Sequence, residues 1–281
     1  MADAKYYVLP GEASKVAKMH DLPVGNEIVQ LDNSLISGCM FNQAAWFRDE
    51  MRGDGSLVKH ASDELMMFMG SDVNNHEDLG MEIVYQLEND ILVLDHTCFL
   101  FIPAGVAHGL LEVRNVRRPC LCTTCFYDES DYEESPATAT EPKGKYANHV
   151  VEKYAPVQHR EIPPAPEGFL TMLLWIDGEK LAGAPYMESV WFKCVNMSGP
   201  PCHTHEFGEV IGFLGADPDN PDDLGGEIQI VIDEKTISST KSFYTYIPAG
   251  VSHSPILVPK LDRPLIHFSG GGKGNYIRND L

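Results

Sequence analysis

The residues best suited to chemistry lie in Pro201-Cys202-His203-Thr204-His205-Glu206-Phe207-Gly208-Glu209, read together with His253. His203 and His205 are two apart, so on a strand both imidazoles point to one face. Glu209 has the same parity, and His253 follows Pro248-Ala249-Gly250-Val251-Ser252. Three imidazoles and one carboxylate suit one divalent transition ion, Mn or Fe first, with Zn, Ni, Co and Cu also acceptable. A structural zinc site would favour thiolates and closed coordination. Cys202 has the wrong parity to join, so a site with open positions is expected.

The elements that must position these residues are strands. From about Leu31 the chain runs in short apolar or alternating segments, such as Met66–Met69, Cys98–Ile102 and Leu110–Val113, broken by Gly, Asp, Asn and Pro. That pattern predicts an all-β sandwich or barrel. Residues 1–30 read as an irregular arm with at most a short helix near Ala13–Met19. Such arms commonly pack across a neighbouring subunit, and a homo-oligomer is expected.

A shift of 145 positions lays the second half on the first without a gap. Trp46-Phe47 falls on Trp191-Phe192, Glu64 on Glu209, Ile102–Val106 on Ile247–Val251, and His108 on His253. The repeat predicts a first domain over 31–126, a solvated linker or loop over 127–165 and a second domain over 166–281. Pro156, Pro163, Pro164 and Pro166 extend the irregular approach to the second copy, and the glycines of 270–274 suggest a flexible tail. The first copy keeps His60, Glu64 and His108, but Val58 stands at the position of His203. This second set is expected to be empty or weak.

The whole chain has 281 residues and is 43% hydrophobic, enough for a sizeable core. Lys plus Arg number 21 against 41 Asp plus Glu, a net charge of −20. Such a field repels nucleic acid and anionic membranes. No apolar run is long enough to span a bilayer, and the start Met1–Tyr6 has no leader pattern. Seven cysteines, an odd number, fit reduced thiols and a cytoplasmic location. Cys120, Cys122 and Cys125 lack a second CxxC pair and read as small buried hydrophobes.

A repeated β-domain with His203-x-His205-x3-Glu209 and, later, Pro248-x-Gly250-x-x-His253 resembles the cupin superfamily, and two copies resemble a bicupin. The resemblance covers about 31–125 and 170–269. It implies two tandem double-stranded β-helix (jelly-roll) barrels with a metal inside. The sequence departs from the usual motifs at Thr240-Lys241-Ser242, at Ile256-Leu257 and in the acidic insert Asp217–Asp223. Fold and metal therefore transfer, and an individual activity does not.

Parity places Phe213 and Ile211 inside the second barrel, and Trp191, Tyr186 and Tyr246 are candidates for an aromatic pocket wall. His267 stands where the first copy has Cys122 and, with Glu209, is a candidate to move protons. Glu227 and Arg263 recur as Glu82 and Arg118 and read as structural. Three functions follow. The first is a redox-neutral hydrolase, lyase or isomerase on a small oxygenated molecule, for instance ring-opening hydrolysis of a cyclic β-dicarbonyl. The second, which the resemblance implies, is a dioxygenase cleaving a diketone, a flavonol or a similar substrate. The third is a non-catalytic binding bicupin. With no inward lysine legible, a neutral or weakly acidic substrate is expected.

Overall fold

The computed structural model describes residues 5–23, 26–155, 165–274 and 276–281. Pro156, Pro163 and Pro164 lie outside them. The described residues contain strands and turns and no helix, so none is long and apolar enough to cross a membrane. The strands make four antiparallel sheets, two to each barrel.

Period-two alternation explains why the inner strands are apolar throughout. In Glu64–Gly70 every residue is buried. Met66 and Phe68 face the first barrel's interior, while Leu65, Met67 and Met69 face a core shared by the two barrels. In Glu209–Gly215, Ile211 and Phe213 point into the second barrel, and Val210 and Leu214 into the same shared core. Strands with only one covered face look different: Lys235–Lys241 is mostly exposed and rich in Ser and Thr. Across the shared core the Thr123 and Tyr244 hydroxyls hydrogen-bond at 2.7 Å.

The register repeats as the sequence does. Thr124 pairs with Gln43 in the first barrel and Ser269 with Glu188 in the second. Val58 pairs with His108, and His203 with His253. Val58 therefore occupies the place of a ligand histidine.

Several connecting segments differ from expectation. Ala13–Met19 forms no helix. Tyr7–Val8 pairs with Thr245 and Tyr244 of the second barrel, and the arm then crosses to the first, where Met19 and Leu22 join the core. Residues 127–155 are largely exposed, as a solvated loop would be, but two short strands hold them to the first barrel. Ser135–Ala137 pairs with Leu57–Lys59, and Val150–Val151 with the strand Cys98–Ile102; charge alone gave no sign of this pairing. The glycines read as a tail extend the strand Leu265–Lys273. A Cβ on Gly271 would lie 2.2 Å from the Gly208 carbonyl oxygen, so glycine here permits a close backbone approach.

The repeated arginines are structural as expected. Arg118 reaches Asp78 and Arg263 reaches Asp223, each at 2.6 Å. Glu227 bonds to Gln229 and Ser238 on the outside. All seven cysteines are free thiols, five of them buried. Cys120 and Cys122 face the first barrel's interior and Cys125 the shared core, so they do not converge.

Candidate metal centre

The second barrel gathers His203, His205 and His253 from two segments, with the ligand nitrogens within 4.8 Å of one another. The turn Pro248–Gly250 is what brings His253 in. Gly250 takes a φ of 78°, accessible to glycine at little cost, and its N–H donates to the His205 carbonyl at 2.8 Å. Gly105 and His60 repeat the contact in the first barrel, also at 2.8 Å.

Each imidazole is fixed by a backbone carbonyl. His203 Nδ1 donates to Pro201 at 2.8 Å, His205 Nδ1 to Ile277 at 2.7 Å and His253 Nδ1 to Val251 at 3.2 Å. A carbonyl only accepts, so the proton sits on Nδ1 and Nε2 is left as a donor atom for an ion. Glu209 Oε2 lies 3.5 Å from His205 Nε2 and 3.0 Å from His253 Nε2. These three atoms are buried without a properly formed hydrogen bond. Buried polar atoms left so are costly, and a divalent cation satisfies them together. The residues present fit the expected metal.

The electrostatics agree. Burial pushes His203 down to about 4, keeping it neutral and able to ligate. Burial alone would raise Glu209, but the adjacent His205 and His253 outweigh it and hold the carboxyl well below the usual carboxylate range. The ion expected there would be met by a carboxylate already charged.

This centre opens onto a cavity of about 110 Å³ lined by His203, Glu209 and His253. Tyr186, Glu188, His267 and Ser269 line the same cavity from neighbouring strands. Ser269 Oγ hydrogen-bonds the Tyr186 hydroxyl at 2.8 Å and donates to Glu188 at 3.3 Å. His267 Nδ1 donates to the Gly212 carbonyl at 3.2 Å, leaving Nε2 as the basic atom. Its ring is stacked on Phe192 and on Phe213, with centroids 4.8 and 4.7 Å away.

Of the candidate wall residues, Tyr186 lines the cavity. Phe213 lies behind it, supporting His267. Trp191 does not line it, because on the strand Pro185–Phe192 the residues Tyr186, Glu188, Val190 and Phe192 face inward, and Trp191 belongs to the shared core. Tyr246 fails for the same reason. It points outward beside Phe207, Gly208 and Cys39. Sequence reasoning missed Glu188, Ser269, Tyr276 and Arg278, all at the cavity. Glu188 was discoverable, because its repeat partner Gln43 is uncharged. Arg278 was not, because it lies beyond the gapless match. It places a basic group at the cavity where none was expected, paired to Asp280 at 2.9 Å.

In the first barrel His60, Glu64 and His108 also lie within 4.8 Å of one another. Here burial pushes Glu64 up to about 7, against the pull of His108. Phe41, Gln43, Cys122 and Thr124 stand at the positions of Tyr186, Glu188, His267 and Ser269.

The fold resembles solved bicupins. An oxalate decarboxylase from Lactobacillus farciminis, solved as a formate complex, superposes with a TM-score of 0.62 at 13% identity, covering 99% of this chain and 89% of that one. A Bacillus subtilis oxalate decarboxylase, studied for its Mn(II) centres, gives 0.59 at 13% identity, over 99% and 80%. A further oxalate decarboxylase structure gives 0.60 at 12% identity, over 99% and 80%. No protein-family model and no curated protein matches the sequence. The likeness shows the architecture: two tandem cupin barrels in an all-β chain.

Proposed function

We propose that the second barrel is the active centre of a divalent-metal-dependent, redox-neutral enzyme, a lyase or hydrolase of a small oxygenated molecule. The observation that carries this is the convergence of the unsatisfied His205, His253 and Glu209 atoms beside a cavity with a second wall of acid–base groups. A divalent ion in this site would polarise a substrate oxygen and acidify bound water. His203, His205, Glu209 and His253 would hold that ion. Nε2 of His267, clamped between two phenylalanine rings, accepts a proton from the substrate or returns one. The Tyr186–Ser269–Glu188 chain orients a second oxygen of the substrate. Arg278 suits an acidic or enolic group, and the apolar Val190, Phe192 and Ile211 limit water.

The proton-moving groups at the cavity favour this reading over an oxygenase, whose bond cleavage rests on the metal and dioxygen. The neighbours named as decarboxylases perform a reaction of the favoured kind. The test is a screen of small dicarbonyl and dicarboxylate compounds against chelated protein reloaded with Mn(II), Fe(II) or Zn(II), with and without dioxygen. Metal-dependent turnover under strict anaerobiosis is expected. Turnover only with dioxygen supports the oxygenase instead, and turnover by metal-free protein removes the metal from the mechanism.

A further inference from the structure

The N-terminal arm brings one acidic side chain into the first barrel, and nothing in the repeat foretells it. Asp21 is only 3% exposed. Its flanking residues Met19 and Leu22 pack into the barrel core, so the carboxylate is carried in on an apolar plug. Oδ1 accepts from the Leu110 N–H at 2.9 Å and Oδ2 from the Tyr85 hydroxyl at 2.5 Å. Oδ2 also lies 3.6 Å from His108 Nε2.

That last distance belongs to a series. Glu64 Oε2 is 3.5 Å from His60 Nε2 and 3.5 Å from His108 Nε2. Ligand atoms about 2.1 Å from a tetrahedral ion lie about 3.4 Å apart. The contacts of 3.5 to 3.6 Å are too long for hydrogen bonds and suit ligand atoms spaced around an ion; His60, Glu64 and His108 form the mutually close group, and Asp21 approaches it through His108. Glu64 Oε2 and His108 Nε2 are buried with no hydrogen-bond partner. His60 Nδ1 donates to the Glu133 carbonyl and His108 Nδ1 to the Val106 carbonyl, so both Nε2 atoms are left to coordinate. Val58 supplies nothing at the fourth position.

We propose that Asp21 replaces the missing histidine as fourth ligand, making the first barrel a closed, structural divalent-metal site. His203, Glu209 and His253 of the second barrel line a cavity, whereas His60, Glu64 and His108 line none of the cavities found among the described residues, and a site without an open position is the structural kind. An ion held there ties the arm, which begins on the second barrel's sheet, to the interior of the first. The site serves folding and docking of the arm and excludes substrate.

The test is metal titration of the full chain, stripped by chelator, with Zn(II) or Mn(II) alone. Wild-type protein is expected to bind two equivalents and the His253→Ala variant one. Adding Asp21→Asn to His253→Ala should weaken that remaining equivalent by about 10- to 100-fold and abolish the rise in Tm that metal gives. Unchanged affinity would reduce Asp21 to a hydrogen-bond acceptor and overturn the proposal, as would a His253→Ala protein that binds no metal. Anomalous diffraction from metal-loaded wild-type crystals avoids any folding defect of the variants. A peak about 2.0–2.2 Å from the Asp21 carboxylate is expected; an empty first barrel, or a peak out of its reach, overturns the assignment.

Discussion

The two barrels share their strand register and their Pro-Ala-Gly turns, yet differ in what surrounds the inner histidines. In the second barrel His203 completes the candidate ligand set, and Tyr186, Glu188, His267 and Ser269 line the same cavity. In the first, Val58, Phe41, Gln43, Cys122 and Thr124 hold those positions, and Met19 and Leu22 of the arm fill the interior. The turn that presents the last histidine is the same in both, with φ 78° at Gly105 and Gly250. Duplication preserved the device that builds a metal site. What differs is the set of side chains around the inner histidines, and on the function proposed above that set decides whether a bound metal meets substrate.

The largest effect expected is from His253→Ala or His205→Ala. Either should lower metal affinity in the second barrel by well over about 100-fold, since disturbing even an outer partner of a ligand costs about 10- to 100-fold. Isothermal titration reads it directly, and activity should disappear with the metal. Next comes His267→Gln, which should cut kcat by about 10²- to 10⁴-fold with metal content unchanged. Its counterpart Cys122→Ser should leave kcat alone. If the two behave alike, the contrast between the barrels is broken at its most important position.

Gly250→Ala and Gly105→Ala should each cost about 1–2 kcal/mol in denaturant unfolding, because both hold left-handed backbone. Only Gly250→Ala should also weaken the reactive metal, by displacing His253. The smallest effects belong to the ion pairs outside. Hydrogen bonds from Arg117 and Arg118 hold Asp78 below its usual range, despite some opposing burial, whereas Asp223 is lowered chiefly by Arg263 alone. A carboxyl depressed on folding stabilises the protein above its unfolded pKa of about 3.9, and that stabilisation is lost as pH falls. Arg118→Ala and Arg263→Ala should therefore cost no more than about 1 kcal/mol each at pH 7, being partly exposed. The cost should shrink below pH 4, as Tm measured against pH would show.

Much of this was legible in the sequence. The candidate ligand cluster was legible from the residue types and spacing of its motifs, although strand parity does not run through it, since His203–Thr204 and Glu209–Gly215 are separate strands with His205 between them; the fold was legible from the repeat. The wall was only half legible. Parity on the strand Pro185–Phe192 could not say which face was inward, so Trp191 was named alongside Tyr186, and Glu188 was missed. Both faces of that strand are buried, and apolarity no longer distinguishes them. Asp21 was invisible, because its role depends on the arm crossing from one barrel to the other, a long-range placement without periodic signal. Arg278 and Tyr276 were hidden by an offset in the repeat. Tyr276 meets His205 as Tyr132 meets His60, with ring centroids 5.1 and 5.5 Å apart, one residue off the 145 shift.

The central claim is that only the second barrel exposes a metal to small molecules. Relaxation of solvent-water protons by Mn(II)-loaded protein tests it directly, since only an ion with an exchangeable water enhances the rate. Strong enhancement is expected in the wild type, retained in Asp21→Asn and lost in His253→Ala. Enhancement that survives His253→Ala would place the accessible metal in the first barrel and contradict the claim.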